Sequence, residues 1–151
     1  MNISDHKDKS KKTMFDENDG FSFMHGWSPT ARWISMIPAV LLAFFLSRYL
    51  IIGTLVMVLQ NFLPEFLWYY SSAILVFFVY YITVYVGGAA VPVGSRRVLS
   101  AVLALLISIA LIILFVGFWS QVEGHDTAIL IISTLMSVLG CVAASLKHAK
   151  K

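Results

Sequence analysis

Four long apolar stretches, separated by short polar loops, fill most of the chain after residue 32. They cover about residues 33–59, 66–87, 96–118 and 127–146. As a helix, each is long enough to cross the roughly 30 Å hydrocarbon core of a bilayer. Every backbone N–H and C=O group inside hydrocarbon must be satisfied within its own segment. The sequence therefore predicts an all-α integral membrane protein with four transmembrane helices.

The balance of apolar and charged residues agrees with this class. Apolar residues make up 59% of the chain and charged residues 13%, whereas about a quarter of the residues in a soluble domain are charged. The formal net charge is +3, but the charges lie at the ends of the apolar stretches and form no basic face. We therefore expect the lipid bilayer as the surrounding medium and no nucleic acid as a partner.

Short loops leave no room for a soluble domain and make consecutive helices antiparallel neighbours. We expect residues 28–146 to form a four-helix transmembrane domain, an up-down antiparallel bundle. Residues 1–27 are expected to be a cytoplasmic tail, disordered at first and interfacial from Phe21 onward, and residues 147–151 a basic cytoplasmic C-terminus. Ser28 followed by Pro29 is a helix-start signal, because a serine caps the helix and a proline needs no N–H in the first turn. The polar start of the chain predicts an uncleaved first anchor.

The distribution of basic residues predicts the orientation. With four spans, ten of the eleven Lys and Arg residues fall on one side of the membrane, including Arg32, Arg96, Arg97 and Lys147. The opposite loops carry Glu65, Glu123 and Asp126 and no basic residue. The positive-inside rule then puts both termini in the cytoplasm. The compact architecture suggests a bacterial protein, so the inner (plasma) membrane is the expected location.

The remaining basic residue, Arg48, lies inside the first apolar stretch, where a charge costs at least about 2.5 kcal/mol. No Asp or Glu occurs within any of the four predicted spans. Matching depth at about 1.5 Å per residue puts two tyrosines of the second span and two serines of the fourth near its level. The candidate intramembrane polar cluster is therefore Arg48, Tyr80, Tyr81, Ser133 and Ser137. Two alternatives stay open: Arg48 snorkels to lipid headgroups, or a partner subunit supplies its carboxylate.

Small residues recur every four positions in the third and fourth spans. Such stripes let transmembrane helices approach closely, so we expect the two spans to pack through them. A pore lining would use similar residues. The members are Ser100, Ala104 and Ser108 in the third span and Ser133, Ser137 and Cys141 in the fourth.

No set of residues indicates catalysis, a cofactor or a metal. Glu123, His125 and Asp126 are close in sequence but lack a fourth ligand and suitable spacing for a closed site. The chain has no phosphate-cradling glycine loop and no nucleophile elbow. We therefore expect no enzyme and no cofactor.

Three classes of function then remain. The first is a non-catalytic accessory or assembly subunit of a membrane complex, with another membrane protein or a second copy as partner. The second is an oligomeric transporter, channel or holin-like pore. Small four-helix drug exporters of comparable size depend on an acidic residue in the first helix, but here that helix carries Arg48, so only an anion path survives. The third, a membrane enzyme, is disfavoured by the scarcity of acid, base and ligand groups in the loops.

Overall fold

The computed structural model describes residues 21–24 and 26–149. Four long helices make up most of this part of the chain, and it contains no β-strand. Each helix is long and apolar enough to cross a membrane, so the prediction of four helices able to span a membrane is confirmed. Residues 1–20, which include most of the predicted disordered tail, and residues 150 and 151 of the predicted basic C-terminus lie outside the described residues. The helices are α1 (Pro29–Gln60), α2 (Glu65–Ala90), α3 (Arg96–Trp119) and α4 (His125–Ala149).

The start of α1 follows the predicted signal. Ser28 has extended backbone angles, φ −60° and ψ 150°, and its Oγ accepts a hydrogen bond of 3.3 Å from the N–H of Ala31. Pro29 occupies the first helical position, where the N–H it lacks would have no helical partner. The predicted cap is therefore confirmed.

The backbone of α1 changes its winding near its middle. It is α-helical over Pro29–Ser47, π-helical over Arg48–Leu55 and α-helical again over Val56–Gln60. The Ser47 hydroxyl donates to the carbonyl oxygens of Ala43 at 2.5 Å and Phe44 at 3.2 Å, just before the change. A hydroxyl bound back to these carbonyls competes with the helical amides and perturbs the ladder. Arg48 is thus the first residue of a π-helical segment, a rare geometry found frequently at functional sites.

The helix α2 is the centre of the structure. It contacts α1, α3 and α4, whereas α1 packs mainly on α2. In the most apolar part of each helix, 44% of the residues of α2 are buried, compared with 17% in α1 and 11% in α3. Most of the apolar surface of α1 and α3 therefore faces outward.

A glycine sets the distance between α2 and α4. A Cβ atom on Gly140 would lie 2.3 Å from the carbonyl oxygen of Phe77 and 3.2 Å from the backbone nitrogen of Tyr81. The two backbones therefore touch at this point, and only glycine fits between them. The close approach of small residues is how helices pack where no hydrophobic driving force acts between them.

The contact of α3 with α4 uses buried small side chains. Ala104 of α3 lies in one buried cluster with Cys141 and Ala144 of α4 and Val84 of α2. The Cys141 side chain is fully buried where α3 packs on α4. This seam between α3 and α4 continues the packing that begins at Gly140.

The segment before α1 folds back on the end of α2. A short 3₁₀ helix, Ser22–Met24, holds Phe21 and Met24 against Ala89 and Ala90, and all four of these residues are buried. Phe23 and Trp27 in the same segment are exposed. The hook Phe21–Met24 therefore presents apolar side chains both to the protein and outward.

Charged side chains mark the two ends of the molecule. Arg32, Arg96, Arg97 and Lys147 lie at what we name the basic end, where the Nε of Arg96 donates to the Val91 carbonyl at 3.1 Å. Arg97 donates to the carbonyl of Ala149, and Trp33, next to Arg32, lines a pocket with Gly94 and Ser95. Glu65, Glu123 and Asp126 belong to the opposite, acidic end, where the Tyr70 hydroxyl bonds His125 at 3.3 Å.

Candidate functional site

A cavity of about 240 Å³ lies between the four helices, and five of its lining residues are polar. Arg48 of α1 and Tyr80 of α2 border it, together with three hydroxyl residues of α4. Its remaining wall is apolar and comes mostly from α3. The lining residues are Arg48, Val76, Tyr80, Leu111, Leu114, Phe115, Phe118, Leu130, Ser133, Thr134 and Ser137.

Arg48 lies at the edge of this cavity and is itself exposed. It also borders a shallow outer groove formed by Phe45, Tyr49, Ile52 and Gly53 of the same helix. No hydrogen bond or ion pair joins its side chain to any residue within 21–24 or 26–149, although its charge acts on the Tyr80 hydroxyl. The guanidinium can therefore turn either into the cavity or outward.

The ring of Tyr80 holds the cavity side of α2 against α1. Its centroid lies 5.9 Å from that of Phe44, one helical turn before Arg48. Because Tyr80 and Arg48 line the same cavity, the tyrosine hydroxyl is a polar group near the arginine.

The hydroxyl groups of α4 that line the cavity donate their protons to backbone carbonyls of the same helix. Ser133 and Thr134 donate to the Leu130 carbonyl at 3.1 and 2.8 Å, and Ser137 donates to the Ser133 carbonyl at 2.6 Å. A hydroxyl has one proton and two lone pairs, so each oxygen is left as an acceptor. The α4 wall therefore offers acceptors that suit a guanidinium, and it offers few donors to an anion.

The structure brings four of the five residues of the predicted polar cluster to this cavity: Arg48, Tyr80, Ser133 and Ser137. Tyr81 is elsewhere, with its ring stacked between Phe77 at 6.0 Å and Tyr85 at 6.1 Å. Thr134 was missed, although its position beside Ser133 in sequence could have suggested it. The apolar wall from α3 carries no sequence signal, because its leucines and phenylalanines resemble those that face outward.

The residues of the predicted packing stripe divide between two environments. Ser100, Ala104, Ser137 and Cys141 are buried, Ser108 is half-buried, and Ala104 packs with Cys141 in the α3–α4 seam. Ser133 and Ser137 also line the cavity, at the height of Arg48. One face of α4 therefore serves both the seam and the cavity.

The residues predicted to set the topology lie together at the basic end. Lys147 places its Nζ 4.5 Å from the centre of the Tyr85 ring, and that ring also stacks on His148 at 5.0 Å. Arg97 and Lys147 are exposed, but Arg32 and Arg96 are buried, at 9% and 4% exposure. Two of the four charges are therefore enclosed by protein.

The chemistry that this arrangement supports is the binding of an anionic or acceptor group by a guanidinium. Within residues 21–24 and 26–149, no three His, Cys, Asp or Glu side chains lie close enough together to hold a metal ion. Four candidate membrane-spanning helices indicate a multi-pass membrane protein. Comparisons with protein-family models, with curated proteins and with solved structures give no match.

Proposed function

We propose that this protein is a non-catalytic accessory or assembly subunit of a membrane complex. In this proposal Arg48 pairs with a carboxylate of a partner helix inside the bilayer. The observation that carries the proposal is the exposed Arg48 side chain, which lies at the start of a π-helical segment and has no acidic partner among the described residues. A charge so placed is costly and usually functional.

The proposed orientation is an up-down antiparallel bundle with both termini in the cytoplasm, at the inner membrane of a bacterium. The pairs of contacting residues support the antiparallel order. Tyr70 and His125 join the starts of α2 and α4, and His148 Nε2 meets the Tyr85 carbonyl at 3.2 Å near their ends. These two helices therefore run parallel, as the second and fourth helices of an up-down bundle do. Arg97 at the start of α3 bonds the end of α4. Because the basic end carries the positive charges, the positive-inside rule makes it cytoplasmic.

The outward surface of α1 supports a partner on that side. Phe45 and Tyr49, which flank Arg48, are 64% and 71% exposed, although both are large and aromatic. Aromatic and arginine side chains at the centre of a surface are the usual anchors of an interface. A partner helix on this face would cover the rings and supply a counter-charge for Arg48.

The alternative is an oligomeric transporter, channel or holin-like pore in which Arg48 and the cavity form part of an anion path. The cavity itself favours this candidate, since it brings Arg48, Tyr80 and three hydroxyl oxygens together at mid-height. The committed protons of Ser133 and Ser137 weaken it, because an anion would meet lone pairs there rather than donors.

The test is purification of the tagged full-length protein in mild detergent, with Arg48→Ala compared against the wild type. Tyr49→Ala is the matched control, because it truncates the neighbouring exposed residue without changing charge. We expect a stoichiometric partner protein to co-purify with the wild type and with Tyr49→Ala, and to be lost with Arg48→Ala. A carboxylate partner should also tolerate Arg48→Lys better than Arg48→Gln.

Two outcomes would overturn the subunit proposal. One is a defined homo-oligomer with no other protein, accompanied by toxicity on expression and dye leakage from vesicles, which would support the pore. The other is equal retention of the partner by Arg48→Ala, since the arginine would then only reach toward lipid headgroups. Reporter fusions after Glu65 and Glu123 test the orientation separately, and both must be outside the cytoplasm.

A further inference from the structure

Arg32, at the end of the first turn of α1, is a buried charge for which the described residues provide no partner. Its side chain is 9% exposed, and its Nε and Nη2 atoms have no hydrogen-bond acceptor among the residues that the structure describes. A buried donor that lacks an acceptor is costly, more so when it is charged. An acceptor with negative charge from outside the chain would remove that cost.

An apolar groove lies along α1, further from the start of the helix than Arg32. It has a volume of about 410 Å³ and runs between the hook Phe21–Met24, α1 and α2. On α1 its wall includes Ala39 and Leu46. Arg32 lies seven residues before Ala39, which is two helical turns, and therefore on the same face of α1.

Met24 and Ser35 together link the groove to the backbone of Arg32. The sulfur of Met24, which lines the groove, is 4.0 Å from the Ser35 hydroxyl, and that hydroxyl donates to the Arg32 carbonyl at 3.0 Å. The end of the groove near Met24 is therefore one turn of α1 from Arg32. A molecule with a charged head and an apolar tail would span the two features.

We propose that Arg32 and this groove bind one anionic phospholipid from the leaflet at the basic end. In the bound state the Arg32 side chain turns toward the lipid, so that the phosphate accepts from the guanidinium, whose planar fork suits phosphate oxygens, and an acyl chain lies along the groove. The described acidic residues Glu65, Glu123 and Asp126 belong to the other end, so none competes for Arg32. Basic pockets between transmembrane helices are known binding places for anionic headgroups. A zwitterionic lipid fits less well, because the cation of its headgroup would be repelled by the positive charges of Arg96, Arg97 and Lys147 at the same end.

The test is native mass spectrometry of the delipidated full-length protein, titrated with phosphatidylglycerol or phosphatidylcholine. We expect one phosphatidylglycerol to bind more tightly than phosphatidylcholine in the wild type. Arg32→Gln should weaken phosphatidylglycerol binding by about tenfold or more, as expected for a hydrogen bond to a charged group. Arg32→Lys should restore only part of the affinity, because it keeps the charge and loses the fork.

Arg97→Gln is the matched control, since it removes the same charge from an exposed position at the same end. It should weaken binding by less than about fivefold, the effect of one surface charge, and high salt should abolish that effect. The Arg32→Gln loss should persist in high salt, because a buried pair is poorly screened. Equal, salt-sensitive losses in the two variants would overturn the proposal in favour of general surface charge.

The groove has its own pair of variants. Leu46→Phe enlarges a side chain that lines the groove, whereas Leu41→Phe enlarges one outside it, and the two leucines are similarly exposed at 51% and 52%. Leu46→Phe should weaken the binding of both phosphatidylglycerol and phosphatidylcholine, and Leu41→Phe should weaken the binding of neither. No difference between the two would overturn the seating of an acyl chain.

The polar N-terminal residues supply one more control. Neutralising Asp16, Glu17 and Asp19 together should leave phosphatidylglycerol binding unchanged. A gain in lipid affinity in that variant would overturn the proposal, because a carboxylate of the chain would then be the main partner of Arg32. The lipid site does not depend on Arg48, so it can fail or succeed independently of the proposed subunit function.

Discussion

The contact between α2 and α4 at Gly140 gives the sharpest prediction about stability. In Gly140→Ala the new Cβ would lie 2.3 Å from the carbonyl oxygen of Phe77. A close carbon–oxygen contact normally needs about 3.3 Å, so the two backbones must separate by roughly 1 Å. The obstructing atom belongs to a helix backbone and cannot rotate away. Overpacking of this kind costs about 1–3 kcal/mol of the free energy of unfolding.

A matched control isolates this steric cost. Gly117 lies within α3, and a Cβ there would meet nothing within 4 Å. Gly117→Ala and Gly140→Ala share the gain in helix propensity, up to about 1 kcal/mol, so their difference reports the clash alone. The assay is unfolding of the purified variants in mixed micelles by titration with a denaturing detergent, followed by circular dichroism.

The reasoning about Gly140 also extends to the cavity. Ser137 of α4 and Val76 of α2 line it, and each lies within one turn of the contact. Separation of the two backbones should therefore widen the cavity as well as destabilise the fold. If Gly140→Ala and Gly117→Ala unfold with the same free energy within about 0.5 kcal/mol, then α2 and α4 do not touch at this glycine.

Three further predictions follow from other contacts. Gly88→Ala should destabilise the protein less than Gly140→Ala, because its Cβ would meet the ring of His148 at 2.7 Å, and a side chain can move; the same micelle titration measures it. Cys141 is fully buried, so a maleimide should label it only after unfolding, as mass spectrometry of native and denatured samples would reveal. Ser28→Ala should lower the free energy of unfolding by about 1 kcal/mol through loss of the α1 cap. Thr30→Ala is the control, because it removes a hydroxyl from the first turn of the helix and leaves the cap in place.

The number and approximate bounds of the helices could be predicted because the bilayer imposes them. An apolar stretch of sufficient length must satisfy its own backbone, and this requirement leaves only the helix. The Ser28–Pro29 start was equally predictable, since the cap depends on residues adjacent in sequence. These features need no knowledge of which helices are neighbours.

The composition of the cavity could be predicted only in part. Counting residues along a helix gives height, and the residues that it put near the level of Arg48 include Tyr80, Ser133 and Ser137, which line the same cavity. Height does not give the face, which turns by 100° per residue. Tyr81 therefore points to the α4 side of α2, although it adjoins Tyr80 in sequence. The π-helical winding at Arg48 leaves no pattern in the sequence either.

The sequence also could not predict which helix each small residue packs against. The spacing in the third and fourth spans suggested that these two helices pack together, and Ala104 of α3 does pack with Cys141 and Ala144 of α4. The closest backbone approach of α4 is nevertheless to α2, at Gly140. A small residue permits close packing with any neighbour, so only the tertiary arrangement determines which helix takes that place.

The hydrogen bonds of α4 limit what Arg48 can do. A guanidinium has five N–H donors and no acceptor, and the oxygens of Ser133, Thr134 and Ser137 can each accept from it because their protons are already committed to the backbone. These dipoles can solvate the charge, but they cannot neutralise it. A carboxylate that approaches from outside would meet the same guanidinium at the cavity edge, where Arg48 is exposed. Under the proposed subunit function, the cavity would hold Arg48 within the bilayer until a partner carboxylate reaches it.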